Sequence, residues 1–206
     1  MASTSAETIV NGVRVTTAAQ TVADLAGTWS LPSALAAADH ALRHELCSLE
    51  ELEELIDAIP AGTEGIVQTR LVKDLADPLS MSVGESLSRA QMFVLNLPRP
   101  RLQVSHEDAL GFIGTVDFQW DGVVGEFDGK LKYRVPEGAS PEEAAEILWA
   151  EKQREDRLRG REQKVARWIW SDAMAPARLA SVLGEKGIRP QPRNSWFDSA
   201  RERRTA

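Results

Sequence analysis

Two periodicities divide this chain. Up to about residue 97 the apolar positions recur three and four residues apart, the spacing of one helical face, whereas between residues 102 and 128 the runs read as strands. After a polar start over residues 1–12, expected to fray, Val13–Val15 predicts a short strand. A helix follows, with Thr16 or Thr17 as N-cap, Ala19, Val22, Ala23, Leu25 and Ala26 on its apolar face, and Gly27 as its stop. Pro32 suits the first turn of a second helix carrying Leu35, Ala38 and Leu42. Ser48 with Glu51 has capping-box spacing for a third helix, which ends before Pro60. A fourth runs through "GIVQTRLVKDLAD".

From residue 82 the pattern changes. Ser82 caps a helix with Glu85 in its first turn and Val83, Leu87, Ala90, Phe93 and Val94 as the expected buried face, stopped by Pro98 and Pro100. Strands are predicted at Leu102–Ser105, Phe112–Trp120 and Val123–Asp128, the last two joined by Asp121-Gly122, a pair suited to a type I′ hairpin. A long helix over Pro141–Arg159, a strand "KVARWIW" and a last helix "APARLASVLGE" complete the series, with a loosely held tail from Gly187. The expected class is mixed α/β: residues 1–80 a mostly helical region, 81–186 a mixed sheet flanked by helices, and 187–206 a basic flexible tail.

Composition adds limits to this outline. The 43% apolar and 27% charged shares of the 206 residues are those of a water-soluble chain, and no run approaches the roughly 20 apolar residues of a membrane span. The N-terminus lacks an export signal, and the single cysteine, Cys47, excludes an internal disulfide, so the expected location is the cytoplasm. Net charge is -7, but unevenly spread: residues 151–206 hold 14 basic and 8 acidic side chains, against 10 and 23 in residues 1–150. The C-terminal quarter is therefore the part suited to an anion.

Candidate chemistry concentrates in "VDFQWDGVVGEFDGK", Val116–Lys130, where acidic residues interrupt apolar strands. Folding the hairpin at Asp121-Gly122 brings Asp117 toward Glu126, while alternation sets Glu126, Asp128 and Lys130 on one side. Carboxylates converging at a strand suit Mg²⁺ or Mn²⁺, which needs only one or two of them, and Lys130 would orient a nucleophile or stabilise phosphate charge. The competing reading is a charged edge strand that resists aggregation. His40 and His44, four residues apart, are either a partial metal site or solvated side chains, and no third ligand is near in sequence.

The Asp on one strand, then Glu-x-Asp-Gly-Lys on the next, with Glu85 on the preceding helix and "LWAEKQREDRLR" and "VARWIWSD" after, resembles the PD-(D/E)xK nuclease superfamily. The likeness is to its branch related to very-short-patch-repair endonucleases and covers residues 82 to about 185. It implies a restriction-endonuclease-like core in the order α-β-β-β-α-β, with Asp117 and Glu126 as metal carboxylates and Glu85 as an auxiliary acid. Lys130 or Asp128 would take the position after the second acid. It further implies an Arg facing the site from the long helix, for which Lys152 or Arg154 is the match. Upstream, "VRVTTAAQTVADLA" is similar to the segment following the winged helix in AbiEi-like antitoxins; the winged helix itself has no counterpart in this sequence.

Most charges of the long helix read as a solvated face with Glu151–Arg154 and Glu155–Arg159 pairs, and Lys152, Arg154 and Arg167 as nucleic-acid contacts. Trp168 and Trp170 are expected on one buried strand face, and Trp196 with the "RERR" end as further phosphate contacts. Two functions follow as expectations. One is a metal-dependent DNA endonuclease. The other is a catalytically idle nuclease-like module that binds DNA or a toxin partner in a toxin-antitoxin or phage-defence system.

Overall fold

The structure is a computed structural model and describes residues 6–128, 138–161 and 163–198. It divides into two compact units, Met1–Ala90 and Gln91–Ala206, the division falling within the helix Val83–Val94 rather than ahead of it. Arg89 accounts for that placement. Its guanidinium is buried with Asp39 at 2.9 Å, bonds Ser80 Oγ at 3.2 Å and donates to the Leu75 carbonyl, tying the start of this helix to the first unit. Burial pushes the Asp39 carboxyl above its ordinary value, and the Arg89 charge opposes that shift.

The first unit opens with β1 (Glu7–Val10) and β2 (Val13–Thr16), an antiparallel pair; β2 is the expected strand, while β1 lies where a frayed end was expected. Asn11-Gly12 makes the difference: both adopt positive φ, 51° and 80°, as a type I′ turn requires, and Asn-Gly between apolar pairs is a strong hairpin signal. Helices α1 (Ala18–Thr28), α2 (Leu31–Arg43), α3 (Leu49–Asp57), α4 (Ile66–Leu75) and α5 (Val83–Val94) follow. Thr17 caps α1 and a Ser48–Glu51 capping box opens α3, as the sequence predicts. Ala26, Ala34, Ala38, Leu52, Ile56 and Val72 share one core. Gly27 does not stop α1, which runs on to Thr28; Gly65 sits so close to it that an added Cβ would lie 2.3 Å from the Gly27 carbonyl oxygen.

The second unit holds β3 (Arg101–Asp108), β4 (Gly111–Trp120), β5 (Val123–Phe127), α6 (Pro141–Gly160), β6 (Lys164–Trp168), α7 (Trp170–Ala173) and α8 (Pro176–Glu185). Its sheet runs β3-β4-β5-β6, antiparallel at the first two junctions and parallel at the third, with α6 as the crossover that a parallel pair needs. The order helix, three strands, helix, strand, helix is the expected one, with the short α7 added between β6 and α8. Only Gly122, φ 65°, is left-handed at the β4–β5 turn, so the turn is not type I′.

One face of the sheet is aromatic, with Phe118 lying 5.2 Å from Trp168 and 6.2 Å from Trp120 between ring centroids. Trp170 does not join it. Asp172 accepts the Ile169 N–H, the chain turns into α7, and Trp170 is left half-exposed, edge-on to Phe127. Trp196 is likewise no surface contact: it is buried, donates to the Leu97 carbonyl at 2.7 Å and packs edge-on against Phe93. With Gln191 N–H on the Asn96 carbonyl, these bonds hold residues 188–198, the described part of the tail that was expected to be loose. In α5, Leu87 and Ala90 are buried as expected, Phe93 is half-buried, and Val83 and Val94 are exposed; residues 84–90 are buried on every side of the helix rather than along one stripe.

Candidate functional site

The opposite face of the sheet carries the site, and strand alternation places it there. Along β5, Val124 and Glu126 point the same way, and in register with them on β6 are Val165 and Arg167. Val124 and Val165 join Ile113, Val116 and Leu158 in an apolar cluster. One step further, Glu126 and Arg167 are charged, so the same face passes from core to site within two residues. Phe118 opposite Gly125 sets Asp117 abreast of Glu126, and Asp117 Oδ2 accepts the Phe127 N–H at 2.9 Å.

Helix α6 repeats this change of character. Ile147, Glu151, Arg154 and Leu158 recur at four, three and four residues, one helical stripe with Leu158 in the core. Thr115, Asp117, Glu126, Ile147, Glu151 and Arg154 line a cavity of about 680 Å³ between this stripe and the sheet. Gly114 leaves room for the arginine: a Cβ there would come within 3.2 Å of Arg154 Nη1.

Glu126, 5% exposed, is held on both oxygens. Arg154 Nη2 donates to Oε1 and Arg167 Nε donates to Oε2 at 2.8 Å. Glu151 then bridges the two guanidiniums, accepting from Arg154 Nε at 3.0 Å and Nη2 at 3.1 Å, and from Arg167 Nη2. Glu155 pairs with Arg167 at 3.0 Å and with Arg159 at 2.5 Å. Burial pulls against both Arg154 and Arg167, yet the carboxylates around them more than offset it, and both are held above their ordinary values. They are permanent cations.

Mg²⁺ keeps several waters and takes one or two protein carboxylates, so Asp117 and Glu126 fit it in donor type and number. The guanidiniums hold Glu126 in competition with any such ion. Among the described residues no group of three or more His, Cys, Asp or Glu is arranged to hold a metal. His40 and His44 are both exposed, their rings 4.3 Å apart.

The other expected site residues are distributed as follows. Glu85 accepts the Met81 N–H at 2.9 Å and the Ser82 hydroxyl at 2.7 Å, which makes it the capping acid of α5. Asp128 is buried and donates its backbone N–H to the Trp168 carbonyl at 2.8 Å. Lys130 and the "RERR" end lie outside the described residues. Lys152 stands 5.6 Å above the ring of Trp149, an exposed pair on α6. Glu151 and Glu155 were read only as partners within their helix. Counting back from the buried Leu158 by four and three would have found Glu151 on the inner stripe.

A cavity lined by carboxylates and Arg154, on a mixed sheet crossed by one long helix, defines the second unit as an α/β domain with a charged site. No family model and no solved structure matches the chain. Two proteins of Mycobacterium tuberculosis are similar to it, the uncharacterized proteins MT2308 and Rv2248, each 36% identical over 111 residues. That alignment takes in 54% of this chain, which spans 41% of the length of these curated relatives.

Proposed function

We propose that the second unit is a metal-dependent DNA endonuclease domain of the PD-(D/E)xK kind, with Asp117 and Glu126 as the residues that would hold Mg²⁺ or Mn²⁺. The observation that carries this reading is the placement of these two carboxylates abreast on adjacent strands, in one cavity that also presents Arg154. A bound divalent ion would activate water and neutralise phosphodiester charge. Arg154 and Arg167 bind the phosphate by charge-assisted hydrogen bonds, and Glu151 orients both guanidiniums. Lys130 is proposed, on the resemblance, to steady the attacking water.

The test is strand cleavage by the purified chain with Mn²⁺, on single-stranded, duplex, mismatched and branched DNA. Glu126→Ala is expected to lower the rate at least a hundredfold, the scale lost with a main electrostatic group. Persistent cleavage in that variant would point to another site. The engagement of both Glu126 oxygens by guanidiniums favours a second reading, an idle nuclease-like module that binds DNA. Duplex retarded at low salt without any cleavage would select it.

A further inference from the structure

Resting on the metal-site reading above, we infer that Arg154 and Arg167 form an exchange latch: they occupy Glu126 until nucleic-acid phosphate draws them off, and only then does Glu126 become a metal ligand. Metal and DNA accordingly bind with positive coupling, neither assembling the site well alone.

Three observations carry the inference. Glu126 has one guanidinium on each oxygen, so a cation entering beside Asp117 meets two positive charges on the ligand it needs. Both guanidiniums have a second anchor in Glu151, and Arg167 a third in Glu155, so leaving Glu126 does not set them loose. The anchors also fix what the arginines can reach: Arg154 lines the cavity from α6 and Arg167 comes from β6, and the two converge on the one Glu126 carboxylate. A phosphate there would accept from the donors that Glu126 now occupies, and bidentate guanidinium geometry suits phosphate as well as carboxylate. Glu151 is thus a positioning residue.

Linkage makes the coupling reciprocal, so it can be read from the DNA side as well as from the metal side. Labelled duplex DNA is titrated with the full chain, by anisotropy, with and without Ca²⁺, an oxygen-seeking ion used as the probe. Ca²⁺ is expected to tighten wild-type binding by on the order of tenfold. Glu126→Gln, which frees the guanidiniums while keeping the side chain's shape, is expected to bind duplex more tightly than wild type without metal and to gain little from Ca²⁺. In parallel, Mn²⁺ binding to the DNA-free protein is followed by electron paramagnetic resonance. Arg154→Met and Arg167→Met are each expected to bind Mn²⁺ more tightly than wild type, with Arg154→Lys between; near-ultraviolet circular dichroism checks the fold, and the Lys variant carries the comparison if Met variants do not fold.

Equal duplex affinity with and without Ca²⁺ in wild type, or an undiminished gain in Glu126→Gln, overturns the latch alone. Mn²⁺ binding indifferent to both Asp117→Ala and Glu126→Gln overturns the metal centre and the latch together.

Discussion

Gly125 stands beside Glu126 and has no room to be anything else. A Cβ there would lie 2.8 Å from Trp168 Cη2, 2.9 Å from Trp168 Cζ3 and 3.0 Å from Trp120 Cζ3, all parts of rigid rings packed on the aromatic face. Gly125→Ala must therefore shift β5 or tilt the tryptophans, and overpacking of this kind costs about 1–3 kcal/mol. Urea unfolding is expected to show a lower midpoint with an unchanged slope, and an unchanged midpoint would mean that the rings move freely. The neighbouring Glu126 is the opposite case, a residue whose environment is set by charge. Its poor fit to an apolar strand was visible in "GVVGEF"; its two arginine partners were not. Adjacency in sequence shows i, i+3 and i, i+4 pairs within α6, but which strand residue comes beneath the helix depends on the β5–β6 register.

At the scale of elements, α6 is fixed to the sheet at two points by different chemistry. Toward its C-terminal half, Leu158 enters the apolar cluster while Arg157 grips Asp108 with Nε at 2.8 Å and Nη2 at 2.6 Å, and donates to the Gly111 carbonyl at 2.9 Å. The hydrogen-bonded guanidinium lowers the Asp108 pKa from 3.8 to about 2. A carboxyl depressed in the folded state stabilises it fully above the unfolded value, and that contribution disappears as pH falls through the folded value. Asp108→Asn is thus expected to be less stable than wild type at neutral pH, with the gap closing between pH 3.8 and about 2. Thermal melts across that range check it, and a gap that persists below the window would assign the loss to packing. The elements themselves were largely legible: β3, β4, β5, α6 and α8 fall where alternation and capping put them. The misses have local causes, an Asn-Gly turn passed over at β1–β2 and a helix start at Trp170, capped by Asp172, that removes Trp170 from β6.

The whole molecule carries a net charge of -7, and no helix among its described residues is long and apolar enough to cross a membrane. An acidic protein that grips DNA must do so through a few cations, because phosphate affinity scales with the number of counterions released. Here the candidates are Lys152, Arg154 and Arg167, two of them already paired with carboxylates. With about three phosphates neutralised, the logarithm of affinity should fall with that of salt at a slope of about -2.7, roughly a fortyfold loss between about 50 and 200 mM. Anisotropy titrations over that range measure the slope. A slope two or three times steeper would mean that a broad basic surface holds the duplex, drawing on the 14 basic side chains of residues 151–206, and would remove the cavity from the centre of recognition. A slope near the expected value that flattens by about one when Arg154 is replaced by Met would place a phosphate at the carboxylates, because each released contact removes one counterion's share.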